Sequence, residues 1–142
     1  MAHRINNPNS SADKAIRAID RQREQERRYM LEECFKQAED LATKLVQRLL
    51  DQHIIETTSE GDLRELFTKL LRQLSEMEEF DIQFKISPIR GLANDPNFVS
   101  LYLTQYIVED LLDHPKIQEV FGADIDVYNA VNSVMIRVRP PK

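Results

Sequence analysis

The sequence predicts a mainly α fold: an antiparallel helical bundle with a long N-terminal helix and at most a small two-stranded β element. Three observations support this fold class. Residues 12–55 contain neither glycine nor proline, and apolar residues recur at helical spacing in several segments. One short segment, residues 82–86, alternates apolar and polar residues as strands do.

The composition is that of one folded domain. The chain has 142 residues, of which 42% are hydrophobic and 30% charged. No segment reaches the roughly 18 consecutive apolar residues of a membrane-spanning helix, and the polar N-terminus lacks the apolar core of a secretory signal. The single cysteine, Cys34, cannot form an intrachain disulfide. We therefore expect a cytoplasmic protein that does not contact a membrane.

Charge is distributed unevenly along the chain. Residues 1–28 hold seven basic and four acidic residues, a net charge of +3, whereas the remainder holds 12 basic and 20 acidic residues, a net charge of -8. A basic arm on an acidic body can bind an acidic protein, a nucleic acid or the acidic body of a second subunit. Because the arm contains both signs of charge, the nucleic-acid interpretation is the weaker one.

The first elements in chain order are a tail and a long helix. Residues 1–11 are polar turn formers, which predicts a disordered tail. Ser11 is a suitable N-cap for a helix over residues 12–55, with a charged extension at 12–29 and a packing half at 30–55. Such a helix would be roughly 60 Å long, so part of it should project from the body. The alternative is a kink near residues 28–32.

An apolar stripe marks the packing half of this helix. Its members follow each other in steps of four and three, the spacing of a helix that packs lengthwise against another helix. They are Leu31, Phe35, Ala38, Ala42, Leu45 and Leu49. Upstream, the same face reads Arg17, Asp20, Glu24 and Arg27. The stripe is wider than one antiparallel neighbour requires, which predicts that these six residues form a coiled-coil interface with a partner.

The remaining helical domain, residues 56–142, begins with a second helix. Ser59 is a cap candidate, and Leu63, Phe67, Leu71 and their neighbours form one broad apolar face. The alternating segment Ile82–Ile86 is predicted to be a strand. A strand needs a hydrogen-bonding partner, which residues 134–138 or a second subunit would supply.

The last third of the chain predicts a buried helix and two further segments. Asp95 is the expected N-cap of a helix over residues 96–113, which is apolar nearly all round and therefore central. Pro115 either ends this helix or begins a short helix over residues 115–121, closed by Gly122. The segment from Asp124 has a helical apolar face, and its β-branched end at 134–138 is ambiguous between helix and strand.

The residue types and their spacing predict no cofactor and no metal. The three glycines are isolated, so a phosphate-binding loop is absent, and the histidines lack metal-ligand spacing. Cys34 borders the apolar stripe, which favours a buried thiol. The two adjacent glutamates would raise the pKa of this thiol, which favours an unreactive one. One enzymatic hypothesis remains, in which a catalytic site, with or without a metal ion, is assembled from Glu109, Asp110, Asp113 and His114.

Two functional hypotheses outrank that one. The first is a non-enzymatic helical protein–protein interaction module, a homodimer that serves as a regulatory, scaffold or assembly subunit. The second is a nucleic-acid-binding accessory protein that uses the basic residues of the arm. Those residues are Lys14, Arg17, Arg21, Arg23, Arg27 and Arg28.

Overall fold

The structure, a computed structural model, describes residues 11–113, 117–120 and 122–141. In this part of the chain the elements are α1 (Ser11–Lys36), α2 (Ala38–Asp51), β1 (Ile55–Thr57), α3 (Glu60–Gln73), α4 (Glu79–Ile86), α5 (Phe98–Glu109), β2 (Ile117–Val120) and α6 (Asp124–Met135). Short 3-10 turns follow α3, α4, α5 and α6. The fold is mainly α with a two-stranded antiparallel sheet, as predicted. The predicted tail lies outside the described residues, except for Ser11, which is the first residue of α1.

The predicted helix over residues 12–55 is interrupted at Gln37. The backbone of Gln37 has φ -102° and ψ 15°, outside the range of a regular α-helix. Its N–H still donates a hydrogen bond to the Glu33 carbonyl at 2.9 Å. The predicted length was therefore wrong, since α2 ends at Asp51. The kink considered near residues 28–32 was also placed too early, because no glycine or proline marks the true position.

The core is built around α2, which packs against α3 and α6. Six side chains of α2 are fully buried: Ala38, Leu41, Ala42, Leu45, Val46 and Leu49. From α3, the predicted apolar face contributes Leu63, Phe67 and Leu71. Helix α5 lies between α4 and α6 and is buried around most of its circumference, which confirms its predicted central position.

The strand prediction for Ile82–Ile86 was wrong, because this segment belongs to α4. Residues 82 and 86 are one helical turn apart, so Ile82 and Ile86 share the buried face and Phe84 points the other way. The alternating pattern is therefore compatible with a helix that buries only one side. The predicted partner segment, 134–138, is the end of α6 and a 3-10 turn.

The sheet forms from two segments that were not predicted as strands. Ile55 pairs with Val120, Glu56 with Glu119 and Thr57 with Ile117, and the register shifts between the last two pairs. Strand β2 lies where one of the two alternatives placed a short helix over residues 115–121, and that alternative is wrong for the described residues 117–120. Both strands are too short to show an alternating pattern in sequence.

Helix α5 begins later than predicted and has a different N-cap. The side chain of Asn97 accepts hydrogen bonds from the backbone N–H groups of Val99 (2.9 Å) and Ser100 (3.3 Å). Asp95, the predicted cap, instead forms an ion pair with Arg139 at 2.9 Å. Both residue types cap helices well, so sequence alone could not choose between positions 95 and 97.

Candidate protein-interaction surfaces

The structure buries most of the predicted interface stripe inside the chain itself. Ala38, Ala42, Leu45 and Leu49 are fully buried against other helices of the same chain. Leu31 is partly buried against this core, and only Phe35, which is 50% exposed, is open to solvent. A partner could therefore reach the surface at Leu31 and Phe35 but not at the other four positions.

The first half of α1 projects an uncovered apolar face. Near its C-terminal end, α1 packs on the core through Met30 and Cys34. Upstream of Met30, the same face of α1 carries Ile19, Ile16 and Ala12 at heptad spacing. Ile16 is 57% exposed and Ile19 is 49% exposed. We call Ala12, Ile16 and Ile19 the arm face, and residues 12–28 the arm.

Every side chain described between residues 12 and 26 is exposed, so this part of the arm buries none of the side chains that the structure describes. Within the arm, Arg28 and Glu24 form an ion pair at 3.0 Å, and Gln22 donates a hydrogen bond to Glu26 at 3.3 Å. Such pairs, one turn apart, stabilise an exposed helix only by a few tenths of a kcal/mol each.

The arm joins the body through Arg27. The Arg27 guanidinium lies 2.5 Å from a carboxylate oxygen of Glu79, at the first residue of α4. It also lies 5.5 Å from the centre of the Phe98 ring, a cation–π contact. Of the six predicted nucleic-acid-binding residues, Arg27 is therefore engaged by the body. The other five are exposed on the arm: Lys14, Arg17, Arg21, Arg23 and Arg28.

A second uncovered apolar surface lies on α4. Phe80 and Phe84 are one turn apart, opposite the buried residues of this helix, and their rings stack with centres 6.4 Å apart. They are 75% and 73% exposed, the most exposed large apolar side chains in the described part of the chain. We call this pair the α4 face. It lies beside a run of carboxylates at Glu76, Glu78, Glu79 and Asp81.

The predicted acidic site on α5 is an ion-pair cluster. The Lys85 ammonium lies 2.7 Å from a carboxylate oxygen of Asp110 and 3.5 Å from one of Glu109. Burial alone would lower the pKa of Lys85, but hydrogen bonds and the negative charges of both carboxylates outweigh it and raise the pKa. Asp113 is exposed in the 3-10 turn after α5, and His114 lies outside the described residues.

Two tyrosines adjoin this cluster. Burial raises the pKa of Tyr102 and of Tyr106, so both hydroxyls stay neutral in the physiological range. Neither the cluster nor any other group of three or more His, Cys, Asp and Glu side chains in the described ranges is arranged to hold a metal ion. The cluster ties α4 to the end of α5, which is a structural role.

Cys34 is buried, as the sequence predicted. Burial raises the pKa of its thiol to about 12, with a further contribution from the negative charge of Glu33. A thiol in this state is a poor nucleophile near neutral pH.

A shallow groove of about 610 Å³ runs beside Phe35, between the outer surfaces of α2 and α3. Its walls carry both signs of charge, including the ion pair of Arg72 with Glu39 at 3.2 Å. Small-molecule sites are usually lined mainly by apolar groups with a few convergent polar ones. The groove lacks that arrangement.

Sequence reasoning missed both uncovered apolar surfaces. Ile16 and Ile19 lie outside the predicted interface stripe, because the upstream continuation of that stripe follows the face of Arg17 and Arg27. The isoleucine pair at a spacing of three was the signal that could have revealed the arm face. Phe80 and Phe84 were overlooked because the strand prediction separated them, and a helical reading would have placed them one turn apart.

The chain contains no helix, within the ranges described, that is both long and apolar enough to cross a membrane. Comparison of the whole chain with protein-family models, with curated proteins and with solved structures found no match.

Proposed function

We propose that this protein is a non-enzymatic helical interaction module that acts as a homodimeric regulatory, scaffold or assembly subunit. The observation that carries the proposal is the uncovered arm face. Ile16 and Ile19 continue the face that α1 uses to pack on its own body, but they extend past that body into solvent. The contact surface thus differs from the predicted stripe, most of which is internal.

The energetics of an isolated helix support a partner for the arm. A helix draws most of its stability from packing an apolar face, and short helices in water are marginal without such packing. Among the described residues, neither Ile16 nor Ile19 belongs to the apolar core or to the side chains packed against it, and each is about half exposed. Burying two isoleucines in a partner would contribute about 1.5 to 3 kcal/mol after allowing for their partial burial.

The chemistry of the body supports a non-enzymatic role. Two of the three carboxylates that the enzymatic hypothesis would use, Glu109 and Asp110, form ion pairs with Lys85. The Cys34 thiol is buried and has a raised pKa, so it is not an activated nucleophile.

Sedimentation velocity of the full chain across micromolar concentrations tests the proposal. We expect a reversible dimer, and we expect Ile16→Glu/Ile19→Glu to raise its Kd at least about tenfold, because a carboxylate would be desolvated on association. The matched control is Ala18→Glu/Gln25→Glu, which adds the same charge on another face of the arm. A monomer at all concentrations, or equal effects of both double variants, would contradict the proposal.

A second candidate function is nucleic-acid binding through the arm. It is favoured by the exposure of five basic side chains on one projecting helix. At helical spacing, one sector of about 60° around the helix axis contains Lys14, Arg17, Arg21 and Arg28. Binding of this kind falls steeply as salt concentration rises. An electrophoretic shift assay at low salt, with DNA and RNA, tests it. Failure of both nucleic acids to shift would eliminate this candidate.

A further inference from the structure

We propose that the arm face of one copy docks on the α4 face of a second copy, so that two chains exchange arms reciprocally. This inference rests on the proposed homodimer and specifies which two surfaces meet. Each chain presents one arm face, Ala12, Ile16 and Ile19, and one α4 face, Phe80 and Phe84. A reciprocal exchange would use both surfaces of both copies and close the assembly as a two-fold dimer.

The two surfaces match in size and kind. Both lie on helices, and each presents two large apolar side chains within about one turn. Along a helix axis, Ile16 and Ile19 are about 4.5 Å apart, and Phe80 and Phe84 about 6 Å apart. Side chains at these spacings interdigitate when two helices pack. The stacked phenyl rings offer a flat apolar platform for branched aliphatic side chains.

The charges beside the two surfaces are complementary. Arg23 follows Ile19 on the arm face and has no ion-pair partner among the described residues. Beside the α4 face, Glu78 and Asp81 likewise form no ion pair with any residue that the structure describes. Residues 76–81 contain four carboxylates and no basic residue. An arginine from a second copy would supply the missing counter-charge.

An arm-to-α4 contact already exists within the chain, which shows that the chemistry is compatible. Arg27 reaches Glu79 at 2.5 Å and lies over Phe98. The intrachain contact ends there, because Phe80 remains 75% exposed and Ile19 remains 49% exposed. The arm therefore leaves its own body beside α4 without covering the α4 face, and that face stays open to another arm.

Cysteine crosslinking between differently labelled copies tests the pairing. Full-length Ile19→Cys is mixed with full-length Phe84→Cys under mild oxidation, and we expect a disulfide-linked heterodimer. Cys34 is buried, so it should not contribute. The control is Ile136→Cys, which places a thiol at another exposed apolar position, 56% exposed, and should not crosslink to Ile19→Cys.

The outcomes separate this inference from the proposed function. A crosslink of Ile19→Cys only to itself would overturn the arm-to-α4 pairing while leaving the homodimer intact. A chain that stays monomeric in sedimentation would overturn both. Equal crosslinking of Ile19→Cys to Phe84→Cys and to Ile136→Cys would mean random collision and would overturn the pairing.

Two further variants test the energetics of the pairing. Phe80→Ala/Phe84→Ala should raise the dimer Kd at least about thirtyfold, since truncating central interface aromatics is costly. The matched control, Phe35→Ala/Ile136→Ala, removes two other exposed apolar side chains and should leave Kd within about threefold. Circular dichroism of each variant confirms folding. An unchanged Kd in the folded Phe80/Phe84 variant would overturn the inference.

A charge reversal adds a test that misfolding cannot imitate. Arg23→Asp should weaken the dimer, and combining it with Asp81→Arg should restore affinity, because the reversed pair recreates the attraction across the interface. Absence of rescue, with both single variants weakened, would overturn the placement of Arg23 beside Asp81.

Discussion

The hydroxyl oxygen of Tyr128 on α6 accepts a hydrogen bond from the backbone N–H of Asn97 at 3.0 Å. Both residues are 2% exposed. Because the Asn97 side chain also caps α5, this one residue couples the start of α5 to the middle of α6. The bond spans 31 positions of sequence and holds the central helix against its neighbour.

Replacement of Tyr128 by phenylalanine should destabilise the fold. The variant keeps the ring but leaves the Asn97 N–H buried without its acceptor, which costs about 1 to 3 kcal/mol of unfolding free energy. Urea denaturation measures the loss. Tyr29→Phe is the matched control, because Tyr29 is exposed on α1, and its effect should stay within about 0.5 kcal/mol. Equal stability of the two variants would argue against the bond.

Cys34 should be inert to thiol reagents in the folded protein and should make stability depend on pH. Its pKa rises from 9.0 to about 12 on folding, so the folded state retains the proton between those values. The stabilising contribution of the protonated thiol is complete below pH 9. It is lost as pH rises through this window, and the free energy of unfolding then falls by at most about 1.4 kcal/mol per pH unit.

The measurement compares the wild type with Cys34→Ala by urea denaturation at several alkaline pH values. Lysine and tyrosine groups titrate in both proteins, so the difference in slope isolates the thiol. Reaction with a disulfide reagent at pH 8 should be slow in native protein and fast in urea. Rapid native reaction, or identical slopes, would refute a buried neutral thiol.

Arg27 should anchor the arm to the body. Arg27→Lys keeps the charge but loses the planar contact with Phe98, and Arg27→Ala loses the ion pair with Glu79 as well. We expect losses of about 0.5 and about 1 kcal/mol in unfolding free energy. Arg21→Ala, on another face of the arm, serves as the control in chemical denaturation. A loss at Arg21 equal to that at Arg27 would place the anchor elsewhere.

Glu56 and Glu119 face each other across the sheet, and both are exposed. Like charges directly opposite destabilise a strand pair, so Glu119→Lys should stabilise the protein by about 0.2 to 1 kcal/mol, and less at high salt. Glu56→Lys should act similarly. The double variant restores like charges and should lose the gain. Thermal denaturation of all four proteins completes the cycle, and additive gains would contradict the pairing.

Local pattern determined the elements that are long and strongly periodic. Helix α3 was predicted from Leu63, Phe67 and Leu71, and the central position of α5 from its nearly continuous apolar surface. The buried state of Cys34 was also predictable, because it borders the apolar stripe of the first long helix. In these cases side-chain burial and backbone preference act in the same direction, so sequence is sufficient.

The tertiary structure decided the short and ambiguous segments. Ile82, Phe84 and Ile86 suit either a strand or a one-sided helix, and the helix formed because α5 covers only the face of Ile82 and Ile86. Likewise β1 is a strand because β2 lies beside it. Segments of three to eight residues carry little intrinsic preference, so the available neighbour determines their conformation.

The candidate site shows the same division. The sequence alone predicted a helix with a charged first half and an apolar second half that associates with other protein. Only the folded chain decided that Leu45 and Leu49 face inward while Ile16 and Phe80 face solvent. Apolar residues at helical spacing indicate that a helix face is buried against some partner. Whether the chain itself buries that face depends on where its other helices lie.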